Sequence, residues 1–119
     1  MAATEILKKR PDFLRVAKGR RWHGSGMVVQ YAARVVPDER TGIGFTASRK
    51  VGGAVVRNRA KRRLRAVVQE LVPEMAPGGL DLVLIARPQT ATLPFGVLRE
   101  DLTQALAKIR AGTTGNAQQ

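Results

Sequence analysis

Apolar residues recur along this chain at two periods, and the periods divide it into elements. From Val55 to Val72, the residues Val56, Ala60, Leu64, Val67 and Leu71 form one stripe at helical spacing, which predicts a long helix stopped by Pro73. A second stripe, Leu98, Leu102, Ala105, Leu106 and Ile109, predicts a closing helix opened by Pro94. Leu80 to Ala86 is apolar apart from Asp81, the pattern of a strand covered on both faces. Gly42 to Ser48 alternates: Ile43, Phe45 and Ala47 point one way, and Gly44, Thr46 and Ser48 the other. One face of that strand is core, and the other is small and polar and suits contact with something laid across it. Met27 to Val36 is rich in β-branched residues and predicts a further strand, followed by a loop at Pro37–Arg40. Pro11 to Lys18, closed by Gly19, predicts a short helix over 11–18. Arg20 to His23 is a turn or short strand. No internal repeat is visible, so the expectation is one domain over 1–111 and a disordered tail over 112–119.

Composition sharpens this outline. The chain has 119 residues and 44% hydrophobic content, enough for one modest core and too much for a disordered basic tail. Cysteine is absent, which excludes a disulfide framework and thiolate metal sites. Met1 to Glu5 carries no apolar signal region, and apolar runs stay far below the roughly 20 residues of a membrane span. A cytoplasmic location follows as an expectation. Lys and Arg number 21 against 9 Asp and Glu, a net charge of +12. Self-repulsion of that size is relieved by a polyanion. A membrane surface fits less well than nucleic acid, because the most basic helix offers only Val, Leu and Ala as apolar partners.

The charge is concentrated. Ser48 to Arg65 holds eight of the 21 basic residues and no acid. Arg57, Lys61 and Arg65 stand in one i,i+4 row, where like charges repel. A solvated helix face is the plain alternative, but solvated faces normally mix signs. Arg predominates over Lys, which favours phosphate geometry. The helix also follows a glycine-bearing basic loop, Arg49 to Gly53, whose backbone N–H groups add to anion binding.

The stretch Gly44-Phe45-Thr46-Ala47-Ser48-Arg49-Lys50-Val51-Gly52, followed by Ala54-Val55-Val56-Arg57-Asn58-Arg59, Lys61-Arg62 and Arg65, resembles the RNR signature of the bacterial ribonuclease P protein subunit family. Lys9-Arg10-Pro11-Asp12-Phe13 is similar to the family's entry into its first helix, and the resemblance spans about residues 8–110. It implies an α+β fold, an αβββαβα sandwich with a left-handed βαβ crossover (ribosomal protein S5 domain 2-like), against the usual right-handed rule. It implies a protein with no catalytic residues of its own. The partners are a catalytic RNA and precursor tRNA, whose 5′ leader is removed by hydrolysis that depends on Mg²⁺ held mainly by the RNA subunit and substrate. The implied protein is a monomer in a 1:1 complex with the RNA, with no membrane and no small-molecule substrate.

By matching position, the resemblance implies that Arg49, Lys50, Arg57, Asn58, Arg59, Lys61, Arg62 and Arg65 face RNA, and that Phe13, Tyr31 and Thr46 line a cleft for the leader between the first helix and the sheet. Asn58 has a plainer alternative in a local bond to backbone, and Phe13 has one as a core anchor. The chain departs from the family at Ala17, where a second cleft aromatic often stands, and at Gly53, often a basic or amide residue. Aromatic content of 4% leaves phosphate contacts to carry most of the affinity.

The remaining candidates are weak. His23 is the single histidine, and beside Trp22 it reads as a surface or packing residue. Trp22 either stacks on a base or covers the sheet edge. Asp38-Glu39 and Glu100-Asp101 are adjacent pairs, and adjacent residues on a helix do not converge. A self-sufficient metal nuclease is therefore disfavoured. A structural ribosomal-type RNA-binding protein is the alternative that composition alone leaves open.

Overall fold

The computed structural model describes residues 4–35 and 38–115. The elements are β1 (Thr4–Ile6), α1 (Arg10–Ala17), β2 (Arg20–His23), β3 (Met27–Ala33), β4 (Thr41–Thr46), a 3-10 turn (Arg49–Val51), α2 (Ala54–Met75), β5 (Leu80–Ala86) and α3 (Phe95–Gly115). The strands form one mixed sheet in the order β1-β4-β5-β3-β2. Strand β5 sits at its centre, antiparallel to β3 and parallel to β4, with Gly42 opposite Asp81 and Thr46 opposite Ile85. Central placement explains its apolar run. Leu82 and Leu84 face α2 and α3, while Val83 faces α1.

The larger core lies under α2 and α3, where Leu64, Val67, Val72, Leu98, Leu102 and Leu106 are fully buried. Burying a side chain of this kind contributes about 1.5–3 kcal/mol. A smaller cluster, Leu7, Val16 and Val83 with Phe13 packed against it, holds α1 to the opposite face. The α+β architecture agrees with the expectation, as does the helical crossover joining parallel neighbours β4 and β5.

Several features differ from expectation, among them the end of β4 at Thr46 instead of Ser48. Strand β1 precedes the expected αβββαβα series and pairs in parallel with β4. Its three residues are too short for a periodic signal, and long-range pairing makes it. Helix α2 passes Pro73 and ends at Met75. The proline falls in the last turn, where one missing N–H bond is outweighed by burial of Val72, whose carbonyl still accepts from Ala76 at 3.0 Å. Helix α3 continues through Gly112, the expected start of the tail, to Gly115. One helical glycine costs only about 1 kcal/mol; residues 116–119 lie outside the described part. Strand β3 ends at Ala33, and Val36, its expected end, is likewise outside.

Asp81, the polar exception in β5, is 2% exposed and organises one end of the molecule. It pairs with Arg15 of α1 and lies 3.5 Å from Nε of Arg34. Arg34 pairs in turn with Glu5 of β1, and that bond with the surrounding carboxylates raises its pKa. The backbone N–H of Arg40 donates to Asp38 at 2.9 Å and holds that carboxyl below its ordinary range. A depressed carboxyl stabilises the fold above its unfolded pKa, and that contribution disappears as pH falls through the folded value.

Removing Asp81 leaves Arg15 and Arg34 partly buried beside fewer carboxylates. We predict that Asp81→Ala lowers unfolding free energy by about 3 kcal/mol, the low end for a broken buried pair because Asp12 and Glu5 remain. Urea denaturation measures this, and a loss below about 1 kcal/mol would contradict the role given to the network.

Candidate RNA interface

The segment between β4 and α2 is built to expose positive groups. Ser48 caps the 3-10 turn by accepting from the Lys50 N–H at 3.3 Å, which leaves Arg49 and Lys50 exposed. Gly52 follows at φ 146°, a conformation that side chains rarely adopt, and an added Cβ would lie 3.0 Å from Val56. Gly53 then starts α2 with no side-chain cap and no acid in the first turn. The first N–H groups of the helix are thus available to an anion, at the positive end of its dipole.

Along α2 the buried stripe Ala60, Leu64, Val67 and Val68 turns the opposite arc outward. Asn58, Arg59, Arg62 and Arg65 are exposed on that arc, and Arg57 and Lys61 are half-buried at its border. Arg57, Asn58 and Lys61 line a small recess of about 200 Å³ with Ala47 and Ala54. Nε of Arg57 is buried there without a hydrogen-bond partner. The Asn58 carboxamide makes no bond to local backbone among the described residues, so the plainer explanation of that residue is not realised. None of Arg49, Lys50, Arg57, Arg59, Lys61, Arg62 and Arg65 pairs with a carboxylate among the described residues.

The eighth cation of the segment has another task. Arg63 points away from this arc and donates to the carbonyls of Thr90 and Leu93 at 2.6 and 2.5 Å. It fastens the loop between β5 and α3 to the back of α2.

Phe13 and Thr46 share the other face of the sheet. The Phe13 ring lies against β4, where a Cβ on Gly44 would come within 2.7 Å of it. Thr46, two residues along the same strand, is half-buried on the same side. Ala17 is exposed, so the rim of α1 there is only a methyl group. Tyr31 does not join them. It alternates with Met27 and Val29 and packs against the core under α2 and α3. The polar residue that β3 presents toward α1 is Gln30, 6% exposed, which was missed from the sequence. Alternation from the large apolar pair Met27 and Val29 was the available signal.

The remaining candidates are structural. Trp22 packs against the larger core and covers the sheet edge. Asp101 is buried and accepts the Gly26 N–H at 2.7 Å, while Glu100 is exposed and bonds Gln104. Among the described residues no group of three or more His, Asp or Glu converges.

The fold and this face define a class: a small, strongly basic α+β protein with a face of exposed cations suited to a polyanion. A ribonuclease P family model matches residues 1–110. The ribonuclease P protein component of Ruegeria pomeroyi is 48% identical, covering 89% of this chain and 86% of that protein. That of Paramagnetospirillum magneticum is 45% identical, covering 92% and 86%. Among solved structures, the ribonuclease P protein of Thermotoga maritima superposes with a TM-score of 0.73 at 28% identity, covering 87% of this chain and 96% of that one. The Staphylococcus aureus protein gives 0.70 at 25%, covering 88% and 94%. The chain belongs to the ribonuclease P protein family: it is the non-catalytic protein subunit of the RNA–protein complex that matures tRNA 5′ ends. Membership sets aside the structural ribosomal-type alternative.

Neighbouring arginines separate binding from folding. We predict that Arg62→Ala weakens RNA binding with unfolding free energy changed by less than about 0.5 kcal/mol. Arg63→Ala should instead lower stability by about 1.5–3 kcal/mol, since it removes two charge-assisted bonds. Filter binding and thermal denaturation on both variants check the pair, and a reversed result would contradict the assignment.

Proposed function

We propose that the two faces of the sheet hold two different RNAs. The free cations of the 3-10 turn and of α2, with Asn58 among them, grip the catalytic RNA. The α1 face, with Phe13 and Thr46, grips the 5′ leader of precursor tRNA, and Gln30 takes the place expected of Tyr31. One protein monomer serves one RNA, in the cytoplasm. Mg²⁺ belongs to the RNA subunit and substrate, and the protein supplies positive charge and substrate grip.

One observation carries this reading. Among the described residues the cations of the signature lack carboxylate partners, while Arg15, Arg34, Arg40 and Arg99 have them. A chain of net charge +12 that leaves one face unneutralised has a surface suited to phosphates. Phe13 supplies what phosphate contacts lack, a ring on which an unpaired base can stack, worth about 1–3 kcal/mol.

Reconstitution tests the division of labour. The protein alone should leave precursor tRNA intact at abundant Mg²⁺, and adding a cognate catalytic RNA should give one cut at the mature 5′ end. Phe13→Ala, if folded, should reduce the preference for precursor over mature tRNA by roughly fivefold or more while binding of the catalytic RNA holds. Tyr31→Ala should lower stability and leave that preference intact. Cleavage by RNA-free protein, or equal loss of both binding properties in every variant, would overturn the reading.

A further inference from the structure

Alongside β1, on the α2 side of the sheet, lies a recess of about 370 Å³ that extends past the signature residues Phe45 and Arg65 to Ile6 and Gln69. Its size falls at the lower end of ligand pockets, about 300–1,000 Å³. Ile6, Ile43 and Val68 give it apolar walls, and Phe45, Arg65 and Gln69 give it a ring, a cation and a carboxamide. Ile6 is 52% exposed at the rim. Strand β1 pairs with β4 only as far as Ile43, so β4 is open on this side at Phe45.

The chemistry inside the recess is that of base recognition. The Arg65 guanidinium lies over the Phe45 ring, 5.4 Å from its centroid. Arg65 is exposed and has no carboxylate partner among the described residues, so the outer face of its plane is open for stacking. Gln69, one turn further on, is exposed, and its carboxamide both donates and accepts hydrogen bonds. The recess is also continuous with the cation face. Lys61, Arg65 and Gln69 form one i,i+4 row, each about 6 Å beyond the last. A phosphate held at Lys61 would lie about one turn of helix from this opening.

We propose that the recess between β1, β4 and α2 binds one unpaired nucleobase of the bound RNA, stacked on Arg65 and hydrogen-bonded by Gln69. This rests on the reading that α2 grips RNA, and it adds a site on the face opposite to Phe13. The base gives the helix a contact that discriminates unpaired from paired RNA, which phosphate contacts alone do not.

Two experiments on the full chain test it. In an NMR titration, adenosine 5′-monophosphate should shift the methyl signals of Ile6, Ile43 and Val68 and the side-chain amide of Gln69. Ribose 5-phosphate, which keeps the phosphate and lacks the base, should leave those methyls unmoved. Gln69→Ala should weaken the nucleotide roughly threefold, and Arg65→Lys, which keeps the charge but loses the plane, on the order of fivefold. Equal methyl shifts with both compounds would overturn the site. In the complex, benzoylphenylalanine placed at Ile6 should photo-crosslink to the catalytic RNA. A complex that forms without that crosslink, or that crosslinks only to a second protein chain, overturns the pocket alone. A complex that fails to form overturns the RNA-gripping role of α2, and the pocket with it.

Discussion

Like charge gathered along one side of α2 is the constraint to which the rest of the structure answers. Arg57, Lys61 and Arg65 stand one turn apart, and each such neighbouring pair is unfavourable by about 0.2–0.5 kcal/mol. The opposite side buries Ala60, Leu64, Val67 and Val72 completely. At about 1.5–3 kcal/mol for each large side chain, that burial outweighs the repulsion several times over. Helix α2 is therefore held from behind, by the sheet, by α3 and by the Arg63 fork, and its front needs no internal partners.

The carboxylates explain why the front stays unneutralised. Glu5, Asp12, Asp38 and Asp81 meet Arg15, Arg34 and Arg40 where β4 and β5 begin. The signature follows the other end of β4. Between the Gly42–Asp81 pair and the Thr46–Ile85 pair the strands advance about 13 Å. That exceeds the screening length of about 8–10 Å at moderate salt. The parallel β4–β5 pairing thus separates the charges: a neutralised end that ties β1 and α1 to Arg34, Asp38 and Arg40, and a cationic end available to a polyanion.

Much of this was legible from residue order. The stripe of α2, the apolar run of β5 and the alternation of β4 each follow from local periodicity, the cations from plain composition, and the family resemblance from the motif residues between Gly44 and Arg65. What was not legible depends on partners distant in sequence. Strand β1 exists through pairing with β4 and through the Glu5–Arg34 contact. The face taken by Tyr31 follows from which side of the sheet carries the thicker core, and a single strand does not reveal that. Arg63 looked like one more cation of the run, and only the folded β5–α3 loop shows its separate use. Pro73 reads as a stop because the local cost is visible in sequence while the burial that outweighs it is not.

The central claim is that contacts between unpaired cations and the phosphate backbone carry the binding of the catalytic RNA. The most direct measurement is the association constant of protein and RNA across a series of monovalent salt concentrations at fixed Mg²⁺. Neutralising about six phosphates predicts a slope of log K against log salt on the order of −4 to −5. A nearly flat response, with affinity retained at high salt, would contradict the account and move the binding energy to contacts other than these cations.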